Sequence, residues 1–329
     1  MSTAAISLRR SYKIHGVGVD VCAEDPAVLT AMDLRLRSFR GQPEAAAEIR
    51  FEFLTEGDDR GRPELPADAG RPVYDTPYGS LHYHPQPDVV CGTLGGVRLR
   101  CEPGRGVAFL TSSRFSGRDL YLATHPLTTI SLIELLERRG LFALHAACLA
   151  TAAGRGVLLS GPSGAGKSTL ALALARAGMS FLSDDIAFLT HHSDAVTVRV
   201  LGFADAIGIT GHAVARFAEL QGLLSEPVVD GFPKRLGRIE DLFGSSALAS
   251  CEPHSLVFPE VVPDQPSVLV TLDPGEALLR LVPDVLLTEA AATQKHLRAV
   301  AALLDQVRCY ALRSGRDLER AAELVRAVA

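Results

Sequence analysis

The stretch GVLLSGPSGAGKSTLALALARAGMSFLSDDIAFL, from Gly156 to Leu189, decides how the fold of this chain is interpreted. Its segment GPSGAGKS, Gly161 to Ser168, fits the pattern G-x-x-x-x-G-K-[ST]. A short apolar segment that favours a strand precedes the loop, and STLALALARAG, which favours a helix, follows it. The sequence therefore predicts a strand, a glycine-rich loop and a helix in succession.

The residue types of this loop suit phosphate groups. Glycines let backbone N–H groups turn toward an anion where a Cβ would clash, and the N-terminus of the next helix adds partial positive charge. Lys167, one of four lysines in the chain, is expected to reach the β- and γ-phosphates, and the Ser168 hydroxyl to bind Mg²⁺. The alternative is a glycine-rich turn that matches by chance. The predicted ATP contacts are Gly161, Pro162, Ser163, Gly164, Ala165, Gly166, Lys167, Ser168 and Thr169.

Two adjacent aspartates follow one helix later. Asp184 and Asp185 come 17 and 18 residues after Lys167, one residue beyond the apolar segment MSFL. This spacing leaves room for one short helix and an immediate return to the sheet. It predicts a strand that is a close neighbour of the strand before the loop, with both carboxylates at the ligand-binding edge. One can hold Mg²⁺ while the other accepts a proton from an attacking hydroxyl; alternatively, one holds the metal and the other is solvated.

His145 lies in LFALHAACLA, the segment that precedes the strand before the loop. A single histidine on an apolar strand is usually a core residue whose hydrogen bonds are satisfied. Here the predicted hairpin brings its imidazole within reach of a carboxylate, which it would orient or make more basic.

Taken together, His145, GPSGAGKST, the Ala- and Leu-rich helix and SDDIAF resemble the catalytic domain of HPr kinase/phosphorylase and its HPr-kinase-like relatives. The resemblance covers roughly His145 to Leu189. Because the C-terminal signature of the phosphorylase reaction is not found, the chain is more similar to divergent relatives, some of which modify the C-terminal serine of ribosomal peptides such as lasso peptides.

The resemblance implies roles for particular residues. Asp184 corresponds to the general base, and Asp185 and His145 support it, Asp185 together with Ser168 on the metal. Asp205, in FADAIGIT, corresponds to an acidic residue expected on the metal side. ATP and Mg²⁺ are the implied cofactors, and assembly into a homo-oligomer is implied as well.

The pattern of apolar and turn-forming residues changes near residue 140. Residues 1–140 contain short β-prone segments separated by Gly and Pro, which predicts a β-rich α+β domain that could dock a substrate. Residues 141–329 contain continuous apolar runs and Ala/Leu-rich helices. The expected fold is α/β, with a P-loop, HPr-kinase-like core built on a mixed sheet and a C-terminal α/β tail.

A second rare lysine lies in DGFPKRLGRIEDLFG, Asp230 to Gly244. Lys234 and the neighbouring Arg235 could bring positive charge to the transferred phosphoryl group on a mobile lid. The equally favoured interpretation is a surface loop that leads into a short helix.

Composition limits the class of partner. The 329-residue chain has a formal net charge of −5, which gives no whole-protein attraction to nucleic acid or to an anionic membrane. No apolar run is long enough to span a membrane, and the N-terminus lacks the apolar segment of a signal peptide, so a cytoplasmic protein is expected. Six cysteines without ligand spacing are expected to be free thiols.

These observations predict a kinase that transfers the γ-phosphoryl group of ATP to a hydroxyl, most readily a serine of a peptide or protein. Two alternatives stay open. One is a small-molecule kinase with the same site. The other is a regulatory protein that binds ATP without catalysis, for which the loop alone would suffice.

Overall fold

The computed structural model describes residues 8–41, 46–56, 66, 70–190, 197–205, 207–224, 234–238, 241–242, 247–285 and 288–329. They form a mixed α/β protein. Its contacts divide the chain into two units, the first comprising Met1–Arg139 with Leu286–Thr293 and the second Gly140–Val285 with Gln294–Ala329.

The described part of the first unit contains an eight-stranded sheet in the order β1-β2-β3-β8-β7-β6-β5-β4. The middle strands β2, β3 and β8 are parallel, and β4 to β8 form an antiparallel meander, which short β-prone segments separated by Gly and Pro favour. Its elements are β1 (Leu8–Ile14), β2 (Val17–Ala23), α1 (Pro26–Arg35), β3 (Ile49–Thr55), β4 (Arg71–Thr76), β5 (Gly79–His84), β6 (Val89–Leu94), β7 (Val97–Glu102), β8 (Val107–Ser112), α2 (Gly117–Leu122) and α3 (Thr128–Glu137).

Two local predictions from the sequence need correction. The composition of YKIHGVGVDV, Tyr12 to Val21, predicts one strand, but His15 and Gly16 adopt positive φ angles of 48° and 94° and form the turn of the β1–β2 hairpin. The residues after Asp25 predict a helix over Pro26 to Arg37 with Asp25 as its N-cap. The helix ends at Arg35, and Asp25 caps it by accepting a hydrogen bond from the Ala27 N–H at 2.9 Å.

The second unit is built on a nine-stranded mixed sheet among its described residues. Strands β11, β17 and β19 are parallel neighbours, and β10 is antiparallel to both β11 and β12. Its elements are β9 (Leu141–Leu144), β10 (Ala146–Ala150), β11 (Arg155–Ser160), α4 (Lys167–Arg176), β12 (Ser180–Ser183), β13 (Ala187–Thr190), β14 (Arg199–Gly202), β15 (Ile207–Thr210), α5 (Gly211–Arg216), β16 (Lys234–Gly237), β17 (Ser250–Val261), β18 (Val268–Thr271), α6 (Pro274–Leu281), α7 (Ala290–Gln306), β19 (Arg308–Ser314) and α8 (Leu318–Arg326).

Helices cover both faces of this sheet, which explains its continuous apolar strands. Along β10, Ala147 and Leu149 pack with α4, α5 and α8, whereas Ala146, Cys148 and Ala150 pack with α6 and α7. Because successive side chains of a strand point to opposite faces, burial on both sides requires an apolar residue at every position. The strand pair β15–β16 lies outside this sheet.

The strand order corrects one prediction. β12, which leads to Asp184, was expected close beside β11, but β10 lies between them. The composition of a segment indicates that it forms a strand, but it does not indicate which strands lie beside it in the sheet. Separately, none of the described helices combines the length and apolar character needed to cross a membrane.

In the first unit, helix α3 carries a buried carboxylate. Glu134 accepts a hydrogen bond from the Thr288 hydroxyl at 2.9 Å, while its Oε1 has no hydrogen-bond partner among the described residues. Burial, together with the nearby charges of Glu137 and Asp88, raises the pKa of Glu134 to about 8, although the Arg138 guanidinium opposes this. The proton on Glu134 is therefore held more tightly in the folded unit than in the unfolded chain.

This raised pKa predicts how stability depends on pH. Because the folded pKa exceeds the unfolded value, the stabilisation is complete below about pH 4.5 and is lost as pH rises toward 8, by roughly 1 kcal/mol per pH unit. The neighbouring Cys101 thiol adds nothing in this range because burial raises its pKa well above the ordinary value. Glu134→Gln, which can keep the Thr288 hydrogen bond, should give a thermal midpoint that varies much less between pH 6 and 9.

The control for this measurement is the exposed Glu56→Gln in the same unit. It should keep the wild-type pH dependence. An equal fall in the midpoint for wild type and Glu134→Gln would contradict the assignment.

Candidate functional site

The glycine-rich loop connects the end of β11 to the start of α4. Gly161, Gly164 and Gly166 have φ angles of 148°, 86° and 95°, a region that residues with a Cβ rarely adopt. Gly166 is the N-cap of α4, and its carbonyl accepts the Leu170 N–H at 2.9 Å. The glycine pattern seen in the sequence thus coincides with the positions at which the backbone needs glycine.

Lys167 begins α4 and folds back over the loop. The residue is only 7% exposed, and its Nζ donates to the carbonyl oxygens of Gly161 at 2.6 Å and Pro162 at 3.3 Å. The next residues, Ser168 and Thr169, are half-buried in the first turn of the helix. The loop therefore brings a lysine ammonium and the N-terminal end of a helix dipole together.

The two aspartates have different surroundings. Asp184 is 7% exposed, and its Oδ2 accepts the Gly208 N–H of β15 at 3.1 Å. The side chain of Asp185 is 70% exposed, and its Oδ1 lies 2.9 Å from Nε2 of His145. His145 therefore lies within hydrogen-bonding distance of a carboxylate, as the sequence predicts, and that carboxylate belongs to Asp185.

His145 is also attached to the loop strand. It lies between β9 and β10, and its backbone carbonyl accepts a hydrogen bond from the Ser160 hydroxyl at 3.2 Å. Ser160 is the last residue of β11 and is fully buried. A short chain of contacts thus runs from β11 through Ser160 and His145 to Asp185.

The sheet brings the aspartates and the loop to one edge. Since β10 is antiparallel to both β11 and β12, these two strands are parallel and both end at the same edge. Ser160 and Ser183 are their last residues, and the strands are two spacings apart, about 10 Å. The loop and the aspartates therefore belong to one continuous surface, with His145 between them.

Three further candidates from the sequence lie on other elements. Asp205 follows β14 and is half-buried, and its N–H donates to the Phe203 carbonyl at 2.8 Å. Lys234 and Arg235 belong to β16, paired with Thr210 and Ile209 of β15, so this part of the segment is a strand where a lid or a surface loop was expected. Within the segment from 230 to 244, residues 230–233, 239–240 and 243–244 lie outside the described residues.

Sequence reasoning missed the two groups that hold the site in place. The Ser160 hydroxyl and the Gly208 N–H fix His145 and Asp184, and neither is part of a recognisable motif. Ser160 directly precedes the loop, so a small polar side chain at the end of a buried strand was the one sequence signal that could have indicated its role.

No group of three or more His, Cys, Asp or Glu side chains in the described part of the chain is arranged to hold a metal ion. A divalent cation here would depend on isolated oxygen ligands such as the Ser168 hydroxyl and the Asp185 carboxylate, with the remaining ligands from phosphate and water. This is the ligand set that Mg²⁺ commonly uses.

No family model matches the chain, and no curated protein matches it. Among solved structures, the chain is similar to the Hpr(Ser) kinase/phosphatase from Coxiella burnetii. The match has 18% sequence identity and a TM-score of 0.32, and it covers 56% of this chain and 88% of that chain.

The loop geometry predicts unequal costs for two substitutions. Both Gly164→Ala and Gly166→Ala force a residue with a Cβ into the left-handed region, at about 1–2 kcal/mol. A Cβ at Gly166 would also lie 3.2 Å from Cγ2 of Val261, whereas one at Gly164 meets no atom within 4 Å. Gly166→Ala should therefore destabilise the protein more than Gly164→Ala in chemical denaturation. Equal effects would show that the contact with Val261 relaxes freely.

Proposed function

We propose that this chain is an ATP-dependent kinase that transfers the γ-phosphoryl group to a hydroxyl, most readily a serine of a peptide or protein. The observation that carries the proposal is the common edge of β11 and β12. A glycine-rich loop with a buried lysine ends one strand, and two carboxylates follow the other.

Two features of the loop support the binding of a triphosphate. A Cβ built at Gly164 meets no atom within 4 Å, so the space beside Gly164 is open. Lys167 already donates to two carbonyl oxygens, and an anion in front of the loop would offer its ammonium a stronger, charged acceptor. The N-terminus of α4 adds to the attraction.

Transfer requires an acceptor for the hydroxyl proton, and we assign this role to Asp184. Its carboxylate is mostly removed from water and is oriented by the Gly208 N–H, and a positioned carboxylate can take a proton from a reacting hydroxyl. The acceptor O–H gives its proton to Asp184 as its oxygen bonds to the γ-phosphorus. The bond from that phosphorus to the bridging oxygen breaks, and ADP leaves.

Asp185 and His145 support this step. The 2.9 Å contact holds the Asp185 carboxylate toward β10, which is the direction of the loop. Mg²⁺ bound with the help of Ser168 and Asp185 would neutralise charge on the phosphates. Asp205, Lys234 and Arg235 remain candidates for contacts with phosphate or substrate.

The two other functions use the same loop. A metabolite kinase would need the same carboxylates and would differ only in its acceptor. A regulatory ATP-binding protein would need the loop alone, so the buried, hydrogen-bonded Asp184 and the Asp185–His145 contact favour a kinase.

Nucleotide binding tests the loop. Lys167→Met should weaken ATP binding by roughly 10- to 100-fold, because it removes a charge-assisted hydrogen bond to phosphate. The matched control is Lys295→Met, which removes an exposed lysine of α7 and should bind ATP like wild type. Calorimetric titration with MgATP measures both. Equal affinity of Lys167→Met and wild type would contradict a phosphate-binding role for the loop.

Phosphoryl transfer tests the assignment of Asp184 as the general base. Incubation of the protein with γ-labelled ATP, Mg²⁺ and extract of the source cells should produce a labelled species, and its mass separates a peptide or protein from a metabolite. Asp184→Asn should reduce labelling by about 10²- to 10⁴-fold while leaving ATP bound. Asp305→Asn, which changes an exposed residue of α7, should label like wild type.

If wild type and Asp184→Asn bind ATP equally well and neither transfers the label, the base assignment fails. The regulatory ATP-binding function would then be preferred.

A further inference from the structure

A cleft of about 180 Å³ adjoins the glycine-rich loop. It opens beside the first turn of α4, and parts of five other elements or their ends complete it. Its lining residues are Ala165, Gly166, Thr169, Leu170, Thr210, Ala213, Arg216, Pro259, Val261, Ser314, Gly315 and Leu318.

The cleft and the aspartates lie on opposite sides of the loop. Strand β11 has β10 and then β12 on one side, and β17 and then β19 on the other. The parallel strands β17 and β19 end at the same edge as β11, and the cleft residues Val261 and Ser314 are the last residues of those two strands. Along this edge the order is therefore aspartates, loop, cleft.

The lining combines an apolar wall with a few hydrogen-bonding groups. Leu170, Ala213, Pro259, Val261 and Leu318 supply the apolar surface. Thr169, Thr210 and Ser314 add hydroxyls, and the exposed Arg216 adds a guanidinium that can stack on a flat ring. None of the lining residues is Asp or Glu, so no carboxylate of the lining would repel an electron-rich ring system.

The size of the cleft limits its occupant. Pockets that enclose a drug-sized ligand usually have volumes of about 300–1,000 Å³, so a cleft of about 180 Å³ suits one ring system and not a folded segment of peptide. The hydroxyl acceptor is also an unsuitable occupant, because it must reach Asp184 on the other side of the loop.

We propose that this cleft binds the nucleoside of ATP, with the purine base against the apolar wall. The triphosphate then runs over the loop, and its terminal phosphoryl group is directed toward Asp184 and Asp185. This inference rests on the proposed binding of ATP by the loop and adds the direction in which ATP lies.

Comparison of ATP with inorganic tripolyphosphate tests the cleft separately from the loop. Val261 is 53% exposed, so Val261→Phe can fill the cleft without burying a new side chain in the core. It should weaken MgATP binding about tenfold or more and change tripolyphosphate binding less than about twofold. The control is Val270→Phe on β18, equally exposed at 51% and outside the cleft lining, which should bind both ligands like wild type.

Photolabelling with 8-azido-ATP provides a second measurement, independent of any substitution. Peptide mapping should find the label in the segments 210–216, 259–261 or 314–318. Label near His145 or Asp185 would overturn the proposal. Equal weakening of ATP and tripolyphosphate by Val261→Phe, together with label outside those three segments, would overturn it too.

The experiment also separates this inference from the proposed function. If wild type and Lys295→Met bind neither ATP nor tripolyphosphate, the proposed phosphate-binding function of the loop is wrong. If ATP and tripolyphosphate bind wild type with equal affinity, the proposed function of the loop stands and the proposed nucleoside site is wrong.

Discussion

The antiparallel pairing of β10 with both of its neighbours is the constraint on which the candidate site depends. It makes β11 and β12 parallel, so that the loop and the aspartates end at one edge. The register of β10 is set by burial on both faces, because a slip of one residue would exchange the side chains packed against α4 with those packed against α7. The same slip would displace His145 from both Ser160 and Asp185, so core packing and site geometry are fixed by one alignment.

The burial of Lys167 places an ammonium group against the backbone of the loop. An ammonium removed from water is costly unless hydrogen bonds replace the lost solvation, and the carbonyls of Gly161 and Pro162 supply part of that replacement. Neutral carbonyls compensate a charge less well than an anion does. The left-handed glycines adopt backbone angles that residues with a Cβ rarely adopt, and the space beside Gly164 is open. A negatively charged ligand, as the proposed function requires, would compensate this ammonium more fully than the two carbonyls do.

The sequence predicts well what is local and poorly what depends on pairing. The strand, loop and helix around Gly161–Ser168 follow from glycine positions and apolar runs, and the structure contains each of them. The hairpin at His15 was missed because a histidine with positive φ leaves no compositional signal beyond the following glycine. The insertion of β10 between β11 and β12 was missed because apolar content cannot rank neighbours within a sheet. The Gly208 N–H that holds Asp184 comes from a backbone atom, which any residue would supply.

Strand β15 links the two sides of the loop. Gly208 contacts Asp184, and Thr210, two residues later and therefore about 7 Å farther along the strand, lines the cleft. Between them, Ile209 is buried in the same core as helix α4, so β15 passes across the helix that carries Lys167. Because Lys234 is paired with Thr210, the backbone of β16 brings this lysine to the cleft end of β15 and not to the aspartate end. A shift of β15 would therefore alter the surroundings of Asp184 and the cleft together, which couples the two ends of the proposed ATP site through one short strand.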